Sequence, residues 1–232
     1  MAAIARDLER EVFANAFGDT AELLAAEYGP YETSSVYLIV LDRRQRIPAG
    51  MMRVILPLDA GLKSINDVEA LWDVRCSDVY ERSGIPFHPH QTWDVATLAV
   101  APEYRGNVGL GTVSAALYQA LSMIGKQCGF RYHVAVMDVA VHRMTRWRLN
   151  RPFQALAELD ARSYMGSQQS VPVWGDTVSW HQRLARLRPD LYRMMCLGQG
   201  LEAHVYPSDW DTMGQIVLSM LGARPNVVPL LG

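Results

Sequence analysis

The segment Thr92–Lys126, TWDVATLAVAPEYRGNVGLGTVSAALYQALSMIGK, holds the residues best suited to chemistry. A β-rich run, Thr92 to Val100, passes Pro102 into Arg105-Gly106-Asn107-Val108-Gly109-Leu110-Gly111-Thr112 and then directly into an apolar-striped helix. Glycines at such a turn let the backbone take positive φ and come close to a ligand. The first amides of a helix have no partner of their own, and the helix dipole favours an anion beside them. Arg105 adds a full charge for a phosphate. The dinucleotide pattern G-x-G-x-x-G is absent, and so is the G-K-S/T of a nucleotide phosphate loop, which argues against NAD and ATP sites of the usual kinds. No metal is expected. His88-Pro89-His90 is a proline turn without an acidic partner, and Cys76, Cys128 and Cys196 are widely spaced with no CxxC.

The elements that must position this turn are legible from periodicity. Leu8, Val12 and Phe13 mark an N-terminal helix, and Thr20 caps a second through Leu23, Leu24 and Tyr28. Ser35–Leu41 and Gly50–Leu56 read as an antiparallel hairpin across a charged turn. Leu62–Val74 reads as a loop leading into one short amphipathic helix. Thr92–Val100 is the third strand, Gly109–Lys126 the strongest helix, Phe130–Met137 the fourth strand and Val139–Leu149 a further helix. Phe153–Leu156 and Val171–Trp174 are weaker strand signals. From Asp176 the character becomes helical, around Trp180–Leu187, Leu191–Leu197 and Trp210–Leu221. The expected organisation is residues 1–175 as an α/β domain and 176–232 as a helical C-terminal extension.

At Arg105, Gly109 and Gly111 the chain resembles the GNAT superfamily of N-acyltransferases. That family's pyrophosphate motif is a strand, then Gln or Arg, two residues, Gly, one residue, Gly or Ala, then a helix. Here one extra residue separates Arg105 from Gly109. Gly50-Met51-Met52-Arg53-Val54-Ile55-Leu56-Pro57, followed by Trp93-Asp94-Val95-Ala96-Thr97-Leu98-Ala99-Val100, is also similar to the autoinducer synthases and long-chain N-acyl amino acid synthases. In those, G-x-x-R-L-x-P precedes W-E-x-x-R-F-A-V. Arg53 and Trp93 match, Asp94 stands for Glu and Thr97 for Arg. The missing arginine counts against homoserine-lactone synthesis in particular.

The resemblance implies a mixed, mostly antiparallel sheet with helices on both faces. It also implies acyl transfer from a pantetheine thioester to a primary amine. Acetyl-CoA or a longer acyl-CoA is the implied co-substrate, with acyl carrier protein as the other donor and an amino acid or small metabolite as acceptor. Backbone groups of Leu98, Ala99 and Val100 would hold the pantetheine arm, and residues 105–112 the phosphates. Asp94 would act as base and Tyr164 as a possible acid, with Arg53 and Trp93 at the acceptor. His133 and His142 are alternatives without motif support. The methionines Met51, Met52, Met123, Met137 and Met144 suit either an acyl tunnel or core packing.

Composition narrows the classes. The chain has 232 residues, half of them hydrophobic, which suits a large core. A formal net charge of −2 does not imply a binder that tracks nucleic-acid phosphates. No apolar run reaches the length of a membrane span, and residues 1–11 lack a signal-peptide core. The cytoplasm is the expected location.

Overall fold

The computed structural model describes residues 2–106, 111–206 and 209–222. Asn107, Val108, Gly109 and Leu110, expected at the phosphate turn, lie outside the described residues.

Helix α1 (Ala2–Phe17) buries Ala5, Leu8 and Val12 on one stripe. Helix α2 (Ala21–Tyr28) starts at Thr20, whose hydroxyl accepts the Leu23 N–H at 3.1 Å. Strands β1 (Ser35–Asp42) and β2 (Ile47–Ile55) form the expected hairpin, with an irregularity between Val40 and Leu41. The single helix expected within Leu62–Val74 is present, and a second helix that was not expected follows it. Helix α3 (Lys63–Trp72) ends at Asp73 in the left-handed region, φ 52°, and α4 (Cys76–Arg82) follows. Strand β3 (Thr92–Val100) leads to α5 (Thr112–Cys128), β4 (Tyr132–Asp138) and α6 (Val139–Arg148).

Two short strands, β5 (Gln154–Ala155) and β6 (Arg162–Tyr164), flank β7 (Ser167–Asp176). Strand β7 is far longer than the Val171–Trp174 signal because Pro172 obscures it. The Pro172 carbonyl accepts from Leu156 on the side away from β4, so the missing N–H also faces that side and costs β4 no ladder bond. Helices α7 (Thr177–Leu187), α8 (Pro189–Leu197) and α9 (Trp210–Met220) complete the described chain.

The sheet runs β1-β2-β3-β4-β7-β5, with β6 also on β7. Every pairing is antiparallel except β3 with β4. Helices α1, α2 and α3 cover one face and α5 the other. Helices α8 and α9 pack onto α5, and Trp180, Leu184, Leu191, Met195 and Val217 join the apolar cluster that contains Trp93, Leu117, Ile124 and Phe130. The layers are those of a mixed α/β sheet with helices on both faces.

Candidate active site

The parallel ladder between β3 and β4 covers only Thr92–Asp94 against Tyr132–Val134. Both strands continue, β3 to Val100 and β4 to Asp138, but without pairing to each other. They form a fork, closed at Asp94 and open at the strand C-termini. On this stretch β3 keeps β2 on one side, so its backbone groups facing β4 are left without a strand partner. A bulge lies inside the fork. Val54 opposes Val95 and Arg53 opposes Thr97, so Ala96 is the extra residue. Ala96 then packs with Leu24, Tyr28 and Ile55, while Thr97 also faces the α1 side and bonds Glu9. Leu98, Ala99 and Val100 follow, with Leu98 and Val100 against the α5 cluster and Ala99 under α1.

Helix α5 begins at the open end. Its N-cap, Gly111, offers no side-chain cap, and the first turn carries no acidic residue. A Cβ on Gly111 would stand 2.9 Å from the Gly106 nitrogen, so these two glycines lie close together ahead of Thr112. Gly50 on β2 gives the room that the Val113 side chain occupies, which seats the helix start directly on the sheet. The exposed Arg105 folds back, its Nε donating to the Val100 carbonyl at 3.0 Å.

Asp94, at the closed end, is completely buried. Its carboxylate accepts the Ser64 N–H at 2.5 Å and the Ser64 hydroxyl at 2.7 Å, so it caps the first turn of α3. Burial pushes its pKa up to about 7, against the lowering effect of the two Ser64 donors. Asp94 does not pair with Arg53, which faces Glu9 instead. Next to Ser64, the buried Lys63 ammonium donates to Glu27 at 2.7 Å, Asp67 at 2.5 Å and the Tyr164 hydroxyl at 3.3 Å. Tyr164 gives its own proton to Asp67 at 2.5 Å, and burial holds its pKa well above the usual range. Tyr164 is therefore a neutral phenol whose proton is held by Asp67. Helix α3 connects both candidate groups, one through Ser64 and the other through Lys63 and Asp67.

Arg53 is also buried, and it faces Glu9 in a two-pronged pair, Nη2 to Oε2 at 2.6 Å and Nε to Oε1 at 3.1 Å. Glu32 lies 3.3 Å from its Nη1, and the Tyr28 ring sits 4.3 Å below the guanidinium. Thr97, where the synthases carry arginine, donates its hydroxyl to Glu9 at 2.5 Å. Arg53 borders a cavity of about 190 Å³ with Arg6, Glu9, Arg10, Tyr28 and Glu32. Trp93 is a correction to the expected acceptor site. It points to the opposite face, 2% exposed, stacked on Phe130 at 4.7 Å in the core. Strand alternation separates it from Asp94.

Glu9, Lys63, Ser64 and Asp67 were missed from sequence. Glu9 carried a readable signal, since it falls on the same helical stripe as Ala5, Leu8 and Val12. The other three took their places from tertiary packing. His133 is buried, with Nε2 3.2 Å from the Pro152 carbonyl, and burial pulls its pKa down to about 4, which keeps it neutral. His142 bonds the Phe153 carbonyl at 3.4 Å. The methionines do not line one tunnel. Met51 packs under α1, Met52 and Met137 lie in the α5 cluster, and Met144 is exposed. Among the described residues no group of three or more His, Cys, Asp or Glu is placed to hold a metal, and no helix is long and apolar enough to cross a membrane.

No protein-family model and no curated protein sequence matches the chain. Solved structures do. An N-acyl amino acid synthase from uncultured soil microbes, FeeM, superposes with a TM-score of 0.57 at 15% identity, covering 80% of this chain and 90% of that one. A CoA-dependent acyl-homoserine lactone synthase, BjaI, gives 0.53 at 16% identity over 79% of this chain and 82% of its own. The chain thus shares the fold of these synthases, a mixed, mostly antiparallel sheet with helices on both faces.

Proposed function

We propose that the chain is an N-acyltransferase that moves an acyl group from a pantetheine thioester to a primary amine. The observation that carries this reading is the fork: β3 and β4 separate at Asp94, and an uncapped α5 starts at the open end beside Arg105. Unpaired backbone groups of β3 suit an extended pantetheine arm, which carries amides of its own. The α5 amides and Arg105 suit its phosphates. The fold of the synthases FeeM and BjaI supports the same class of reaction, and the CoA-dependence of BjaI supports a CoA thioester as one donor.

In this reading the thioester carbonyl lies in the fork with its oxygen on an amide of the Leu98–Val100 stretch, which stabilises the tetrahedral oxyanion. The neutral amine attacks the carbonyl carbon and the C–S bond breaks. One proton leaves the nitrogen and one reaches the departing sulfur. Asp94 takes the first through a water and returns it, because a carboxylate with a pKa near 7 can do both at neutral pH. The acceptor enters from the α1 face, where Arg53, Arg6 and Arg10 suit an acceptor carboxylate and Glu9 and Glu32 its amine. Tyr164 is assigned to holding α3 through Asp67 rather than to proton donation.

One observation favours a second reading, a CoA-binding module without turnover. Asp94 has no exposed surface and already holds two Ser64 donors. Two measurements on the purified chain separate the two readings. The first is thermal shift with CoA, acetyl-CoA and decanoyl-CoA, since a ligand that binds only the folded chain raises the melting point. The second is thiol release from the acyl-CoAs against a panel of amino acids. Shift with turnover supports the enzyme, and shift without turnover supports the module. Absence of any shift rejects both.

A further inference from the structure

Asp94 is the last β3 residue paired with β4, so it stands where the fork opens. Its side chain meets the start of α3, which Leu62 leaves without a side-chain cap. The N–H of Ser64, in the first turn of that helix, has no partner within the helix. Asp94 accepts that N–H on Oδ2 and the Ser64 hydroxyl on Oδ1. A carboxylate from 30 positions away thus replaces the local cap, and a single residue engages both of its oxygens. The two donors fix the plane of the carboxylate, because turning it would break one bond or the other.

Ser64 is itself held in place. The neighbouring Lys63 ties α3 to α2 through Glu27 and to β6 through Tyr164. Val68 and Trp72 pack the rest of the helix against Val134 of β4. The start of α3 cannot slide without unpairing a buried ammonium, which is costly.

The other groups around Asp94 do not substitute for Ser64. Tyr28 from α2, Tyr80 from α4 and Tyr164 from β6 are phenols that burial keeps neutral. Lys63 and Asp67 carry charge, but of opposite sign and paired at 2.5 Å, so their effects on Asp94 oppose each other. Arg53 is engaged with Glu9.

We propose that Ser64 is a positioning residue for acyl transfer, which orients the Asp94 carboxylate at the closed end of the fork and keeps it charged to accept the amine's proton. The proposal rests on the acyltransferase reading and names what controls its base. Burial works against the charged form, and the two Ser64 donors work for it. One hydrogen bond to a charged group is strong enough to move a titration by about one to two pH units.

The test compares Ser64→Ala, which removes the hydroxyl and keeps the backbone N–H, with Ser64→Thr, which restores a hydroxyl. Ser64→Cys, a weak donor of similar size, is a further variant. Carbon NMR titration of the aspartate carboxyls reads Asp94 directly, its signal assigned by its loss in Asp94→Asn. Thiol release from decanoyl-CoA, followed as kcat/KM against pH, reads the reaction. In Ser64→Ala the Asp94 midpoint and the acidic limb of kcat/KM should both move up by about one to two pH units, with rates converging on the parent at alkaline pH. Ser64→Cys should shift both by less, and Ser64→Thr should restore both. A serine that serves the fold alone would lower turnover equally at every pH and leave the midpoint in place. That result, or a Ser64→Ala chain that titrates like the parent, overturns the proposal. If the midpoint moves but the parent turns over no amine, it is the acyltransferase reading that has failed, and Ser64 only sets the charge of a buried carboxylate.

Discussion

Under α1, α2 and α3 the sheet buries charges, whereas under α5, α7, α8 and α9 it buries neutral groups. The first face holds Glu9, Arg53, Lys63 and Asp94, each 2% exposed or less. The second holds Trp93, Phe130, Leu117 and Leu184, with His133 and His181 kept uncharged by burial. Charges taken from water cost several kcal/mol each unless they are well paired, so a packing requirement alone does not call for them. Their concentration beside the fork fits the acceptor site proposed above, while the other face carries the start of α5.

The largest expected effect comes from Asp94→Asn. Asparagine can still meet both Ser64 groups, so the fold should survive while turnover falls about 10²–10⁴-fold. Steady-state kinetics decides it, and undiminished turnover would return Asp94 to a purely structural role. In the parent, kcat/KM should fall below about pH 7 as Asp94 takes up its proton.

Next is Arg53→Met, which leaves Glu9 buried without its partner and should cost about 3–5 kcal/mol in urea unfolding. Adding Glu9→Leu should recover much of that loss. If the single change is harmless, the charged face is not a packed network.

The two faces should also titrate in opposite senses. The raised pKa of Asp94 means that the folded chain holds a proton the unfolded chain has lost. This contribution is present below the ordinary aspartate value of 3.8 and disappears as pH rises towards 7, on the order of 4 kcal/mol in all. The lowered pKa of His133 works the other way, with stability full above 6.5 and lost as pH falls towards 4, on the order of 3 kcal/mol. Urea midpoints from pH 4 to 7 should therefore rise more steeply with pH in Asp94→Asn than in the parent.

The smallest effect is expected on the scaffold. Gly125→Ala places a Cβ 2.8 Å from the Trp93 ring and should cost about 1–3 kcal/mol with acyl-CoA affinity unchanged. Loss of ligand binding in that variant would show that the two faces are not separable.

Local chemistry made much of this protein readable. Strand β3 has the bounds that Thr92–Val100 suggested, Thr20 caps α2, and the helix behind the glycine turn follows its apolar stripe. These are near-neighbour effects, set by side-chain period, caps and turn residues. Helix α4 and the length of β7 were not readable, because a short helix has little periodicity and Pro172 looks like a break until the side its nitrogen faces is known.

The partners of the site were decided by tertiary structure alone. Ser64 reaches Asp94 across 30 positions, Glu9 reaches Arg53 across 44, and Lys63 reaches Tyr164 across 101. Trp93 and Asp94 are adjacent in sequence, yet the pleat sends them to opposite faces. The sequence by itself determined which residue types could do the chemistry and the strand–turn–helix that carries them. Which charges meet, and where β3 parts from β4, depended on packing between distant segments, since pairing and desolvation are properties of the assembled interior.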